Sequence, residues 1–149
     1  MNENEIKFYR EHFGDLEPCL DRLCIHGEDV LSVLWEFFAG EEDHLKARAI
    51  RVAAHMGTDA AMELVAAGAK DPNPSVRAAV AAGCGEHQNT QTIAIVRKLL
   101  GDQSPSVRRH AIKAAKNGNA ADYFDELNEI QVSDSFDELR GFAGNIIST

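Results

Sequence analysis

The side chains of this chain that are best suited to chemistry are the basic residues of a short phrase that occurs twice. The phrase reads DPNPSVRAAVAAGCG from Asp71 and DQSPSVRRHAIKAAK from Asp102, so the two copies lie 31 residues apart. Arg77 and Arg108 follow the valine of each copy. An arginine guanidinium can hold a carboxylate or a phosphate through two parallel hydrogen bonds. The phrase therefore predicts either charge pairs between copies or a surface that binds anionic groups.

Patterns typical of catalysis do not accompany these cations. The sequence has no GxSxG, no glycine loop that would hold a phosphate and no cysteine beside an identifiable base. The three cysteines form an odd set without CxxC spacing, which favours reduced and mostly buried thiols. No two histidines stand four residues apart, and none directly precedes a glutamate. We therefore predict no catalytic residues, no metal, no cofactor and no enzymatic activity.

Charge is distributed unevenly along the chain, whose formal net charge is −9. Residues 44–116 hold eleven basic and five acidic side chains, whereas residues 1–43 hold three and twelve, and residues 117–149 hold one and seven. A basic middle between acidic ends is typical of a site for a polyanion or an acidic peptide. Alternatively, solvent-exposed faces of the chain differ in charge by chance. There is no apolar run of about 18 residues and no signal-peptide pattern, which predicts a cytoplasmic protein without a membrane segment.

The repeated phrase must lie on a helix that is copied along the chain. Pro74 and Ser75 suit the first turn of a helix, and apolar residues follow at helical spacing. The same register extends back to Leu45 and, with one extra residue, forward to Leu139. A second set of helices is predicted at about residues 30–38, 59–70, 90–100 and 120–130. We predict one domain, 1–149, in which a cap (1–27) precedes four helix pairs at 28–57, 58–86, 87–117 and 118–149.

The repeated sequence resembles the short HEAT-like repeat of phycobilisome-lyase-type proteins and of many small bacterial HEAT-repeat proteins. The matching residues are Asp71, Pro72, Val76, Arg77, Ala81 and Gly85 in one copy, and Asp102, Val107, Arg108 and Ala111 in the next. The resemblance covers about residues 28–149. It implies an all-α fold, a right-handed α-α superhelix of about four helix pairs with an N-terminal helical cap. Iron-binding hydroxylases built from similar repeats carry His-Glu dyads, and this chain has only Glu86-His87 in reversed order, which disfavours that activity.

The resemblance also implies a binding surface. In such proteins the helices that carry the repeated phrase, which come second in each pair, line a concave groove. The implied groove positions are Ala47, Arg48, Arg51, Ala78, Ala79, Ala82, Arg109, His110, Lys113, Gly141, Phe142 and Asn145. They describe an alanine floor between two cationic patches, which suits a helix or an extended peptide with acidic side chains. We therefore predict an adaptor that binds a partner protein or an acidic peptide. Its predicted partner-binding residues are Arg48, Arg51, Arg109, His110, Lys113 and Phe142.

Two other functions stay open. Some HEAT-like DNA glycosylases hold the duplex with a cationic face, but Phe142 is the single aromatic residue among the groove positions of this chain, and the net negative charge opposes attraction to phosphate. Alternatively, the acidic ends cover a basic target, as in an inhibitor or immunity-type protein. Both a monomer and a homodimer are compatible with the sequence.

Two structural interpretations complete these expectations. Arg77 and Arg108, with Lys46 at the aligned position, are interpreted as a ladder of partly exposed charge pairs with the aspartates of neighbouring copies. Such pairs contribute about 1 kcal/mol or less each. Trp35, with Phe37 and Phe38, is interpreted as core that fills the junction with the cap, and an exposed anchor for a partner is the alternative.

Overall fold

The computed structural model describes residues 2–12 and 28–149, in which helices joined by short turns occur and no strand does. The α-helices of these residues are α1 (Glu3–His12), α2 (Glu28–Phe38), α3 (Asp43–Met56), α4 (Asp59–Gly68), α5 (Pro74–Glu86), α6 (Thr90–Leu100), α7 (Pro105–Asn117), α8 (Phe124–Ser133) and α9 (Asp137–Ile147). A 3₁₀ turn, Ala120–Tyr123, leads into α8. The all-α prediction is confirmed.

The helices form antiparallel pairs that stack in one direction. The second helices α3, α5, α7 and α9 pack side by side in a row, and each of them also packs on the first helix of its own pair, α2, α4, α6 or α8. The chain is thus an α-solenoid, as expected, and α1 packs on α2 at its N-terminal end. The limits of the four predicted repeats stay a prediction, although each of them contains one such helix pair.

Side chains next to the helix starts fix where the helices begin. Helix α5 begins at Pro74, as predicted, and the Asn73 side chain accepts a hydrogen bond from the Ser75 amide at 2.9 Å. Helix α6 is capped by Asn89 in a capping box, in which its side chain and that of Thr92 each accept from the amide of the other residue. These caps satisfy backbone N–H groups that have no partner within the helix.

Small side chains allow the second helices to approach one another closely. Ala111 and Ala143 are fully buried. A Cβ atom added to Gly85 would lie 3.0 Å from Ala114 Cα on the next second helix. The row of second helices therefore depends on glycine and alanine at its contact points, because larger side chains would separate the helix axes.

Two expectations about individual residues have different outcomes. Phe37 and Phe38 pack on the core, as predicted, but Trp35 stays 37% exposed and packs edge-to-face on Phe38 at 5.7 Å, so the prediction that Trp35 fills the core is wrong. Cys84 is a buried thiol, as predicted, and burial raises its pKa to about 12. Cys19 and Cys24 lie outside the described residues, as does most of the cap predicted at 1–27.

No helix in residues 2–12 or 28–149 is both long enough and apolar enough to cross a membrane.

Candidate functional site

Ion pairs connect the helix pairs along one edge of the stack. The Nε and Nη2 atoms of Arg77 donate to the two carboxylate oxygens of Asp102 at 2.8 and 3.0 Å. Arg108 makes the same two hydrogen bonds to Asp134 at 2.7 and 3.1 Å. The predicted ladder is confirmed, and its bidentate geometry is the one that a guanidinium and a carboxylate prefer.

The first step of this ladder is weaker. Lys46 Nζ donates a single hydrogen bond of 3.3 Å to Asp71 Oδ2. A lysine ammonium is a point charge without the planar fork of arginine, so it does not fix the geometry of its partner in the same way.

Burial changes the energetic interpretation of the ladder. The side chains of Arg77 and Asp102 are only 8% and 10% exposed, and Arg77 Nη1 also donates to the Asp71 carbonyl at 2.9 Å. Burial alone would raise the pKa of Asp102, but the hydrogen bonds from Arg77 and from the Ser104 amide outweigh it, so this pKa is lowered. The pairs are therefore less exposed than expected, although Lys46 stays 18% exposed, and removing one partner of a buried pair costs about 3–5 kcal/mol. Arg77 and Arg108 are therefore structural residues.

The exposed side of the second helices α3, α5, α7 and α9, called the groove face below, carries most of the predicted binding positions. A depression of about 280 Å³ lies between α3 and α5. Arg48 and Arg51 form its wall on α3, and Ala79 and Ala82 belong to its floor on α5. His44 also lines this depression. The structure thus brings together a cationic wall and an alanine floor, as the sequence analysis expected for this part of the chain.

A second depression, of about 470 Å³, lies between the starts of α7 and α9. Arg109 lines it together with Phe136 and Glu138. Arg109 thus lies at a different depression from Arg48 and Arg51, and His110 and Lys113 do not line it.

Two carboxylates accompany the cations of the groove face. Arg51 Nε lies 3.5 Å from Glu86 Oε2, and Arg109 Nη2 lies 2.6 Å from Glu138 Oε2. The sequence analysis found no acidic residue among the groove positions and missed both partners, because each of them reaches across from the next second helix. Lys113 is exposed and has no acidic partner within the described part of the chain. The two patches are consequently less positive than their arginines alone suggest.

The remaining predicted positions differ in exposure. His110 is half-buried, and its Nδ1 donates to the Ser106 carbonyl at 2.8 Å. Phe142 is half-buried and packs on the core. Ala78 was expected on the groove face but is only 7% exposed and belongs to the core, because its helix turns it toward neighbouring helices. Asn145, at the other end of the row, is exposed.

Sequence reasoning missed a contact between two histidines. His55 on α3 and His87, the residue after α5, face each other with 3.1 Å between Nδ1 and Nε2. The ring centroids are 4.7 Å apart and the rings are nearly perpendicular, at 77°. The signal was the repeat period, because His87 lies one residue beyond the position 31 residues after His55. Within the described residues, no group of three or more His, Cys, Asp or Glu side chains is placed to hold a metal ion.

Comparison with known proteins identifies the repeat. A family model described as HEAT repeats matches residues 31–115 and 63–144. No curated protein sequence matches the chain. A solved structure described as the complex of CpcE and CpcF of phycocyanin lyase, from Nostoc sp. PCC7120, contains a similar chain with a TM-score of 0.67. The alignment covers 97% of the present chain and 99% of the other one, at 20% sequence identity.

This similarity corrects the prediction that the chain is not an enzyme. That prediction rested on the lack of a nucleophile motif, a phosphate loop and a metal dyad. A chain of a phycocyanin lyase complex, however, shares the fold over almost its entire length. The fold thus occurs in an enzyme complex, and missing motifs do not exclude a catalytic role.

Proposed function

This chain belongs to the HEAT-repeat family, and from that premise we propose that it is an adaptor whose groove face binds an acidic segment of a partner protein. Stacked helix pairs present extended surfaces that suit this task. The similar chain in the phycocyanin lyase structure belongs to a complex of two named proteins, which supports a protein partner. The fold alone does not select the partner.

The depression between α3 and α5 carries the proposal. Its cationic wall stands over a floor of small side chains, so a helix or an extended segment can approach closely while its carboxylates reach the guanidinium of Arg51. The present partner of that guanidinium, Glu86, lies at 3.5 Å, and both side chains are about half exposed, at 56% and 46%. An exposed pair of this kind contributes about 1 kcal/mol or less. A carboxylate of the partner can therefore replace Glu86 at small cost.

The same ion pairs favour a protein partner over nucleic acid. A duplex presents a dense row of phosphates that needs many unpaired cations. On the groove face Arg51 and Arg109 already have carboxylate neighbours, and these carboxylates would repel phosphates. A protein segment can match such mixed charges one by one.

A charge-reversal pair tests the groove face. Arg48→Glu with Arg51→Glu changes the cationic wall, and the control variant, Lys70→Glu with Lys98→Glu, makes the same change in net charge at exposed residues of the first-helix side. Affinity capture from the host lysate with quantitative mass spectrometry identifies proteins retained by the wild type. The dissociation constant of the leading protein is then measured with all three chains, after circular dichroism has shown that each is folded.

We expect the groove variant to bind at least about tenfold more weakly, because each reversal changes an exposed contact worth roughly 1 kcal/mol. The control variant should bind like the wild type. Equal binding by all three chains would refute the groove assignment. Recovery of nucleic acid alone would favour nucleic-acid binding over a protein partner.

A further inference from the structure

Two histidines from consecutive helix pairs share one hydrogen bond beside the groove face. His55 Nδ1 and His87 Nε2 are 3.1 Å apart, and both rings are half-buried. Such a contact requires a hydrogen on one of the two facing nitrogens and a lone pair on the other. One added proton leaves the hydrogen bond in place, whereas full protonation of both rings puts a hydrogen on each facing nitrogen and breaks it.

This histidine pair is coupled to the depression through neighbouring charges. The charged groups that face His87 are His55 and Arg51 from α3 and Glu86 from α5. Burial lowers the pKa of His87, and repulsion by Arg51 and by His55 when protonated lowers it further, against the attraction of Glu86. Arg51 and Glu86 both line the depression. A change of charge on the histidine pair therefore acts on Arg51 and Glu86, whose contact would be replaced when an acidic segment binds.

We propose that protonation of the His55–His87 pair strengthens the binding of an acidic segment to the depression between α3 and α5. The inference rests on the proposed function and adds its regulation. A proton on the pair places a positive charge beside Glu86, which draws this carboxylate away from Arg51 and leaves the guanidinium to the partner. Linkage requires the reciprocal effect, so the bound carboxylate also increases the affinity of the pair for protons. Affinity therefore rises as the pH falls through the range in which histidine titrates.

The test uses a short synthetic amphipathic helix that carries glutamates on one face and a fluorescent label. Its dissociation constant is measured by fluorescence anisotropy between about pH 7.5 and pH 5.5, a range in which histidine titrates, at constant ionic strength. The variant His55→Gln with His87→Gln keeps polar, uncharged side chains at the pair. The control variant, His12→Gln with His26→Gln, removes two histidines that belong to none of the predicted binding positions.

For the wild type we expect roughly fivefold tighter binding at the lower pH, which is the effect of one added charge at a partly exposed site. The control variant should retain most of this gain, and the variant of the pair should lose it. If the variant of the pair keeps the full gain, or if the control variant abolishes it, the inference is wrong while the proposed function stands.

A second measurement does not need a ligand. Nuclear magnetic resonance of the free protein follows the imidazole signals of both histidines and the Nε–Hε signal of Arg51 across the same pH range. We expect the Arg51 signal to shift together with the titration of the pair, because its contact with Glu86 loosens. An Arg51 signal that does not follow this titration overturns the inference. If the peptide binds at no pH, the proposed function fails for this class of partner, and this measurement decides the inference alone.

Because the folded chain keeps the pKa of His87 low, the unfolded chain binds protons more readily. The stability that this histidine provides is present above its usual pKa and is lost as the pH falls below it. Circular dichroism at the lowest pH therefore accompanies both measurements, so that loss of folding is recognised.

Discussion

The aspartates between the two helices of a pair each perform two tasks. Asp102 accepts both hydrogen bonds of the Arg77 fork and also accepts from the Ser104 amide at 2.9 Å, where helix α7 begins. Asp134 repeats this arrangement one copy later, with the Phe136 amide at 3.0 Å. One carboxylate thus holds the turn that leads into its own second helix and also holds the arginine of the copy before it. The register between copies is therefore specified by a carboxylate that also stabilises a turn within its own copy.

The ladder provides a graded test at single residues. We expect Arg77→Ala to lower the free energy of unfolding by about 3–5 kcal/mol, because it leaves the carboxylate of Asp102 buried without its partner. Lys46→Ala removes one hydrogen bond of 3.3 Å to Asp71, which keeps the one from the Asn73 amide, and should cost less, about 1.5–3 kcal/mol. Urea denaturation at neutral pH measures both. The Lys46–Asp71 pair is buried to a similar degree, with side chains 18% and 8% exposed, so equal losses for the two variants would show that the bidentate geometry of arginine does not set the energy of these pairs.

At the scale of helices, the distance between neighbouring second helices depends on positions without a side chain. Helices α5 and α7 approach at Gly85 and Ala114, which belong to consecutive copies. Glycine in a helix interior costs about 1 kcal/mol relative to alanine. The close packing of the two helices offsets this cost, and a Cβ atom would have to move the backbone of Ala114.

A pair of glycine substitutions separates packing from helix propensity. Gly85→Ala should destabilise the protein, by on the order of 1–3 kcal/mol from overpacking minus the gain in propensity. Gly141→Ala on α9 should instead stabilise it by about 1 kcal/mol or less, because its added Cβ meets no atom within 4 Å. Thermal unfolding followed by circular dichroism distinguishes opposite shifts of the midpoint. A higher midpoint for Gly85→Ala would contradict the close approach of α5 and α7.

Over the whole molecule, the repeat period predicted more than any single motif did. The period of 31 residues and its apolar positions were sufficient for the solenoid and for the arginines of the ladder. The period did not predict Asp134 as the partner of Arg108, because one extra residue separates the last two copies at this point. The residues missed on the groove face, such as Glu86, act across two copies. Their contacts depend on side-chain directions between helices, which a pattern along one helix does not contain.

The stack should also unfold from its end, because each helix pair contacts only its neighbours. Leu139 on α9 is 2% exposed, and Leu139→Ala should cost about 2–5 kcal/mol. We expect faster amide hydrogen exchange in α8 and α9, by about 30-fold or more, while α3 and α5 change much less. Val76, the corresponding residue of α5, provides the control, because Val76→Ala should increase exchange on both sides of its helix pair. Uniform acceleration of all helices by Leu139→Ala would show one cooperative unit and would contradict unfolding from the end.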